Sequence, residues 1–545
     1  MLTLLGRVLF VVGFFLTLGA PSAQAKPTRG GTACASEHRL ATEACLAQLQ
    51  AGGNAVDAAV TAALVAGVVS PSSSGLGGGG FALAWNAKQQ RMTVLDFRET
   101  APKGIDVPAF EKRPFAPGAR GKAVGVPGEA KGLFELHRRF GKRSWQEVVL
   151  PAQRVAEKGF EVSAHLRTVL RDSAKDLEAD AGLRDLYLRP GQKARIKNPK
   201  LAETLKKLGA LGPAAIYEGD IASDLVAAAN KFGGALSLDD LKNYQVIERA
   251  PLKITWEGLD IYTMPPPSAG GLMLAQTLKF FAKADLAQEK PESASYQHRL
   301  AEVFRASLAD RMRTLGDPEA APIDLSPLLS KEHIDGIRAR VSDHATHTIL
   351  DFAQDEQGTH HLIAADEDGN VVSLTTTINH AFGAKITGEL SGIVLNDELD
   401  DFTGRSVAKT FGLSESPNRP RPRARPVSSM TPTIVVKDGA AKAALGGSGG
   451  MTIATNVTQA LLRLIGFGQS PKAVVAARRF YVPTRKETLQ LEAGAEAALI
   501  QDLAARGEIV GINPFTTSAV QIVTRDGKRY RAAADPRKHG NAQAR

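Results

Sequence analysis

Two threonines at matched positions of one hairpin are the residues in this chain most clearly placed to do chemistry. Residues 358–379 read Gly-Thr-His-His-Leu-Ile-Ala-Ala-Asp-Glu-Asp-Gly-Asn-Val-Val-Ser-Leu-Thr-Thr-Thr-Ile-Asn. The apolar run 361–365 and the β-branched run 371–378 predict two strands, with strong turn chemistry between them. A three-residue loop of Glu367, Asp368 and Gly369 puts the glycine where φ must be positive. That loop fixes the register: Asp366 faces Asn370, Ala365 faces Val371, and Thr359 falls opposite Thr377. Directly opposite side chains share a face about 4.5–5.5 Å apart, so one hydroxyl comes within reach of the other. Strand periodicity then carries Asn379 to the same face. Taken alone, each threonine is also simply a good strand residue.

Other residues have chemistry to offer. Arg98 lies within the strand-like run 94–102, and its guanidinium fork suits a carboxylate. Glu398, Asp400 and Asp401 cluster in Leu-Asn-Asp-Glu-Leu-Asp-Asp-Phe (395–402), and Ser428-Ser429 lie in Pro-Val-Ser-Ser-Met-Thr-Pro-Thr (426–433). Gly446-Gly447-Ser448-Gly449-Gly450 can present backbone N–H groups without side-chain obstruction. Alone, these are an ion-pair residue, solvated loop residues and a glycine-rich turn.

Together and in this order, they resemble the γ-glutamyltransferase (γ-glutamyl transpeptidase) family of N-terminal nucleophile hydrolases. The resemblance rests on Gly358-Thr359, the Asp-x-Asp-Gly-Asn turn, the Asn-x-x-x-Asp-Asp-Phe, Ser-Ser-Met-x-Pro-Thr and Gly-Gly-Ser-Gly-Gly segments, Asp-Phe-Arg-Glu at 96–99 and Gly-Gly-Asn-Ala-Val-Asp at 52–57. It implies a four-layer αββα sandwich. It also implies self-cleavage between Gly358 and Thr359, with the freed Thr359 as nucleophile. A hydroxyl needs a base, and a new N-terminus supplies one in its α-amine, whose pKa is near ~8. The resemblance further implies that Gly449 and Gly450 hold the oxyanion. Arg98, Ser428 and Ser429 would hold a donor's α-carboxylate, and Glu398, Asp401 and Asn379 its ammonium. Thr377 would steady the nucleophile. No cofactor and no metal are implied. One departure is His360, where many members carry Thr or Ser; adjacent strand residues face opposite sides, so His360 and His361 do not chelate one metal together.

The chain has 545 residues, 43% of them hydrophobic and 23% charged, an ordinary globular balance with ample core. Residues 1–25 carry Arg7, a short apolar stretch and Ala-Gln-Ala, the pattern of a cleaved signal peptide. The stretch is too short for a comfortable membrane span, so an exported protein, periplasmic or secreted, is expected. The divisions are then 1–25 signal peptide, 26–358 large subunit and 359–545 small catalytic subunit, the last two associating as a heterodimer. Cys34 and Cys45 either pair in the oxidising compartment or remain two buried thiols. The net charge of +10 has no nucleic-acid motif or aromatic interleaving beside it. Its densest run, residues 419–425, reads as a solvated Pro-rich loop.

Helices are expected over 42–52, 54–69 (capped by Asn54), 128–140, 145–159, 199–208, 221–232, 272–281, 300–315 and 452–465, and residues 238–244 resemble the family's Asp-Leu-x-x-Tyr element. Residues 75–80 satisfy G-x-G-x-x-G, but a helix precedes and a strand follows, the reverse of a dinucleotide fold; close backbone packing is the expected use. Residues 351–357 read as an exposed segment ahead of a cut, and the tail after Asp535 as frayed.

The function implied is transfer of a γ-glutamyl group from glutathione or a related amide to water, an amino acid or a peptide. The rivals are an acylase for another amide, such as a glutaryl β-lactam, and an uncut, non-catalytic exported binding protein.

Overall fold

Strands whose alternate residues are apolar on both faces must be covered on both faces, and that requirement builds this molecule. The structure, a computed structural model, describes residues 31–111, 117–189, 195–342, 358–482, 488–513 and 518–545. The expected signal peptide and the segment 351–357 lie outside them. The strands of the two central sheets are β1 (Ala33–Ser36), β2 (Gly79–Asn86), β3 (Arg91–Asp96), β4 (Ile247–Arg249), β5 (Leu252–Trp256), β6 (Leu259–Thr263), β7 (His360–Ala365), β8 (Val371–Thr377), β9 (Thr433–Lys437), β10 (Ala440–Ser448), β11 (Ala519–Asp526), β12 (Arg529–Ala534) and β13 (Asn541–Ala544). A seven-stranded sheet runs β13-β1-β7-β8-β2-β3-β4 and a six-stranded sheet β12-β11-β10-β9-β6-β5. Neighbours in both are antiparallel.

The principal helices are α1 (Arg39–Gln50), α2 (Ala55–Val69), α3 (Glu129–Phe140), α4 (Trp145–Lys158), α5 (Ala164–Leu177), α6 (Pro199–Leu211), α7 (Gly270–Phe280), α8 (Ala294–Thr314) and α9 (Thr452–Leu461). On the first sheet, Ala82, Ala84, Leu362, Ala364, Val372 and Leu374 pack in one core with Ala41, Val56, Val60 and Leu64 of α1 and α2. The alternate residues Phe81, Leu83, Trp85, Ile363 and Ala365 share a second core with Ile434, Leu445 and Ile522 of the other sheet and with Leu274, Phe304 and Val457 of α7, α8 and α9. The layers are therefore helix, sheet, sheet, helix. α2 is buried almost all round, and Asn54 and Asp57 close its N-terminus in a capping box.

Strands from both sides of residue 358 interleave in each sheet, β1 beside β7 in one and β6 beside β9 in the other. Neither segment could close its sheets alone. Cys34 on β1 and Cys45 on α1 form a disulfide, which decides the question the sequence left open. The tail corrects the sequence reading: it is not frayed, because β13 pairs with β1 and Arg545 exchanges backbone bonds with Thr32. Pairing on the open edge of β1 satisfies that strand's backbone groups.

Candidate functional site

The hairpin loop closes as its chemistry requires. Gly369 takes φ +89° and Asp366 caps the turn through the N–H groups of Asp368 and Asn370. The pairing that follows runs Ala365–Val371 through His360–Thr376. Thr359 and Thr377 are next in register, and their hydroxyl oxygens are 3.1 Å apart in a buried setting. Thr376 faces the other way and donates to Glu129 of α3. His361 turns toward the second sheet and meets Thr375 Oγ1 at 2.8 Å. His360 is fully buried on the opposite side with neither ring nitrogen partnered, and burial, then the charge of Lys538, pushes its pKa down to about 3.

Thr359 sits just outside β7 with φ +87°. A β-branched residue rarely holds that conformation, at a cost of about 1–3 kcal/mol. Its N–H donates to the Ser73 carbonyl at 2.9 Å, which also receives Ile378 N–H. Gly358 is boxed in, since a Cβ there would overlap the Asn379 carbonyl. Asn379 does not reach this place by strand periodicity, as the sequence reading supposed. β8 ends at Thr377, and Asn379 takes φ +72°, donating its N–H to Thr377 Oγ1 at 2.9 Å and its side-chain amide to Asp397 O at 3.2 Å. The glycine run beside β8 is backbone packing: Cβ atoms at Gly78 and Gly80 would strike the carbonyls of Thr377 and Thr375.

Arg98 follows β3 and is 1% exposed. Its guanidinium contacts Glu398 through Nη1 and Asp401 through Nη2, and its Nε donates to Pro426 O at 3.2 Å. The cation and the two acids that the sequence assigned to opposite ends of a ligand thus lie together. Glu398 Oε2 and Asp401 Oδ1 remain buried with no hydrogen-bond partner. Burial raises Glu398 well above the ordinary carboxylate range, with Arg98 opposing. Burial likewise pushes neighbouring Glu99 up to about 8 against the pull of Arg98. The result is a buried cluster in which a guanidinium is paired with two carboxylates, each of which keeps one oxygen without a hydrogen-bond partner.

Ser428 and Ser429 follow Val427, whose carbonyl lies 3.5 Å from Arg98 Nη2. Ser429 Oγ accepts from Arg311 Nη1 at 2.6 Å. Gly449 and Gly450 turn out of β10 with φ +118° and +60°, so neither tolerates a side chain easily. They are joined to the threonine by Lys538, whose Nζ is 2.7 Å from Ser448 Oγ and 3.5 Å from Thr359 O.

The sequence reading missed Ser73, Arg311, Glu37 and Lys538. Ser73 acts through its carbonyl, which leaves no side-chain signal. Arg311 had one: it falls three residues after Leu308 on the apolar stripe of α8, where a charge needs a reason. Of possible metal ligand sets among the described residues, His298, Glu302 and Glu508 are tied together by Arg305, with Nη2 2.6 Å from Glu508, and so form a closed ion-pair network.

Comparison with known proteins identifies the family. The family model described as gamma-glutamyltranspeptidase matches residues 41–545. Glutathione hydrolase 2 of Arabidopsis thaliana is 36% identical over 529 residues, covering 90% of each chain. The glutathione hydrolase proenzyme of Pseudomonas aeruginosa is 34% identical over 544 residues, covering 97% of each. Among solved structures, a cephalosporin acylase from Bacillus halodurans superposes with a TM-score of 0.84 over 97% of this chain and 99% of its own at 23% identity, a likeness of fold. Gamma-glutamyltranspeptidase from Pseudomonas nitroreducens, complexed with L-DON, is 32% identical with a TM-score of 0.53, covering 57% of this chain and 94% of its own. With the family model spanning nearly the whole chain and relatives above 30% identity at full length, this protein belongs to the gamma-glutamyltranspeptidase family of enzymes.

Proposed function

We propose that the protein is a glutathione hydrolase and γ-glutamyltransferase that matures by cutting itself between Gly358 and Thr359. The observation that carries this reading is the Thr359–Thr377 hydroxyl pair at 3.1 Å, at a junction where Thr359 holds φ +87°. Thr359 Oγ attacks the Gly358 carbonyl, the acyl group shifts from nitrogen to oxygen, and water cleaves the ester. Cutting releases the strained φ and frees the α-amine. In turnover that amine takes the Thr359 hydroxyl proton while the oxygen attacks the γ-carbonyl of the donor. Gly449 and Gly450 N–H groups receive the oxyanion; as it collapses the C–N bond of the donor breaks and the leaving amine takes the proton from the Thr359 ammonium, and the γ-glutamyl ester then passes to water, an amino acid or a peptide.

Arg98 with Ser428 and Ser429 reads the donor's α-carboxylate, and Glu398, Asp401 and Asn379 read its ammonium. The open oxygens on Glu398 and Asp401 support the second assignment. Residues 26–358 and 359–545 form the two subunits, exported after removal of 1–25. No described helix is long and apolar enough to cross a membrane. The test is a denaturing gel of purified protein with N-terminal sequencing of the smaller band, beside γ-glutamyl anilide turnover. A new N-terminus at Thr359, with Thr359→Ala remaining one inactive chain, is expected. A fully active uncut chain overturns the proposal.

A further inference from the structure

The end of the chain is tied down around one buried acid. Asp535 accepts from Val520 N–H at 3.1 Å, from Arg479 Nη2 at 2.6 Å and from Arg537 N–H at 3.0 Å. It caps the short turn Pro536–Lys538, after which His539 takes φ +56° and Gly540 N–H returns to Asp535 O at 3.0 Å. This geometry turns Lys538 inward, where it is 3% exposed. Besides Ser448 Oγ and Thr359 O, Nζ lies 3.4 Å from Glu37 Oε2. Glu37 Oε1 in turn accepts the N–H of His361 at 3.0 Å. An ammonium has three donors and no acceptor, and here three acceptors surround it. One buried cation therefore joins the residue after the proposed cut, the residue before Gly449-Gly450, and a carboxylate that grips β7.

We propose that Lys538 is a positioning residue for Thr359. It fixes the Thr359 carbonyl against the Gly449-Gly450 turn and, after the cut, favours by like charge the neutral, proton-accepting form of the Thr359 α-amine. This rests on the reading of Thr359 as nucleophile. Before cutting, Gly358 tethers Thr359. Afterwards its N-terminal side keeps only the Ser73 carbonyl, so an anchor on its own carbonyl gains importance. Within one residue N and O are a few ångströms apart, which sets the amine about 6 Å from Nζ. At that range a unit charge shifts a pKa by about 0.5–2 units across effective dielectrics of ~80 to ~20. Ser73 O and Glu37 both favour the charged amine and offset part of this. The other titratable groups nearby are His360 on β7, His38 and His539 in the flanking turns, His165 on α5, and the His380–Asp397 pair beyond Gly358. His360 and His165 are both held neutral, burial pushing each pKa down to about 3.

The experiment is the pH profile of kcat/KM for cut wild type, Lys538→Met and Lys538→Arg. In Lys538→Met the acid limb moves up by about half to one unit, lowering kcat/KM below it by about three- to tenfold. Lys538→Arg keeps the charge and returns the limb toward the wild-type position. A merely structural lysine would lower yield or Tm and leave the limb where it is. An unmoved limb in Lys538→Met overturns the proposal. Should that variant fail to fold, Glu37→Gln/Lys538→Met is compared with Glu37→Gln alone, so that only the lysine charge differs between them; the same upward shift of the acid limb is expected, and an unmoved limb overturns the proposal. Full activity in Thr359→Ala would instead overturn the nucleophile reading itself.

Discussion

Thr377→Val removes one oxygen and keeps the β-branch. Thr377 Oγ1 accepts Asn379 N–H at 2.9 Å and lies 3.1 Å from Thr359 Oγ1. With one lone pair committed to Asn379, its own proton is best spent on Thr359 Oγ1, leaving the Thr359 proton for the base. The variant therefore loses two things. Asn379 N–H is stranded in a buried place, which costs about 1–3 kcal/mol of stability. The aim of the nucleophile is lost separately, and a further ~1–3 kcal/mol there slows the chemistry by roughly 5- to 150-fold. Self-cleavage, followed on a denaturing gel over time, slows in the same range, and so does kcat on a γ-glutamyl anilide for the fraction that does cut. Thr377→Ser keeps both bonds and recovers most of the rate. Wild-type processing and turnover in the valine variant would refute the role of the hydroxyl. A serine variant no better than valine would trace the effect to the lost methyl packing.

Gly358→Ala forces a Cβ into the Asn379 carbonyl, so the junction shifts and the chain stays largely uncut on a gel; normal cutting would show that the junction relaxes freely. Arg98→Lys keeps a charge but loses the fork that spans Glu398 and Asp401, and Asp401→Ala removes one of its partners. Each weakens donor use by about 2–5 kcal/mol in kcat/KM, and near-normal values in both would reject the assignment. Burial works against a charge on His380, yet Asp397 at 2.8 Å outweighs it and lifts the pKa to about 10. Because the folded value lies above the ordinary 6.5, this stabilisation is complete below about pH 6.5 and is lost as pH rises through 10. The Tm gap between wild type and His380→Gln therefore narrows from pH 7 to pH 10, and a constant gap would contradict the pairing.

Local chemistry determined the hairpin and its consequence. The turn residues Asp366–Asn370 and the strict period of two fix register without help from the rest of the chain, so Thr359 opposite Thr377 was legible in the sequence. The buried α2 and its Asn54 cap were legible for the same reason, and ordered motifs were enough to identify the family. Tertiary structure decided what depends on meeting across distance. Asn379 leaves the strand because Ser73 O takes Ile378 N–H, a competitor far away in the chain. Arg98 meets Glu398 and Asp401 only after two sheets assemble. The tail looked frayed because its residues are polar and short-patterned; its order comes from the open edge of β1 and from Asp535, which is fully buried. Lys538 gave no sign at all. A lysine near a chain end is ordinarily solvated, and only the fold brings its three acceptors to one point.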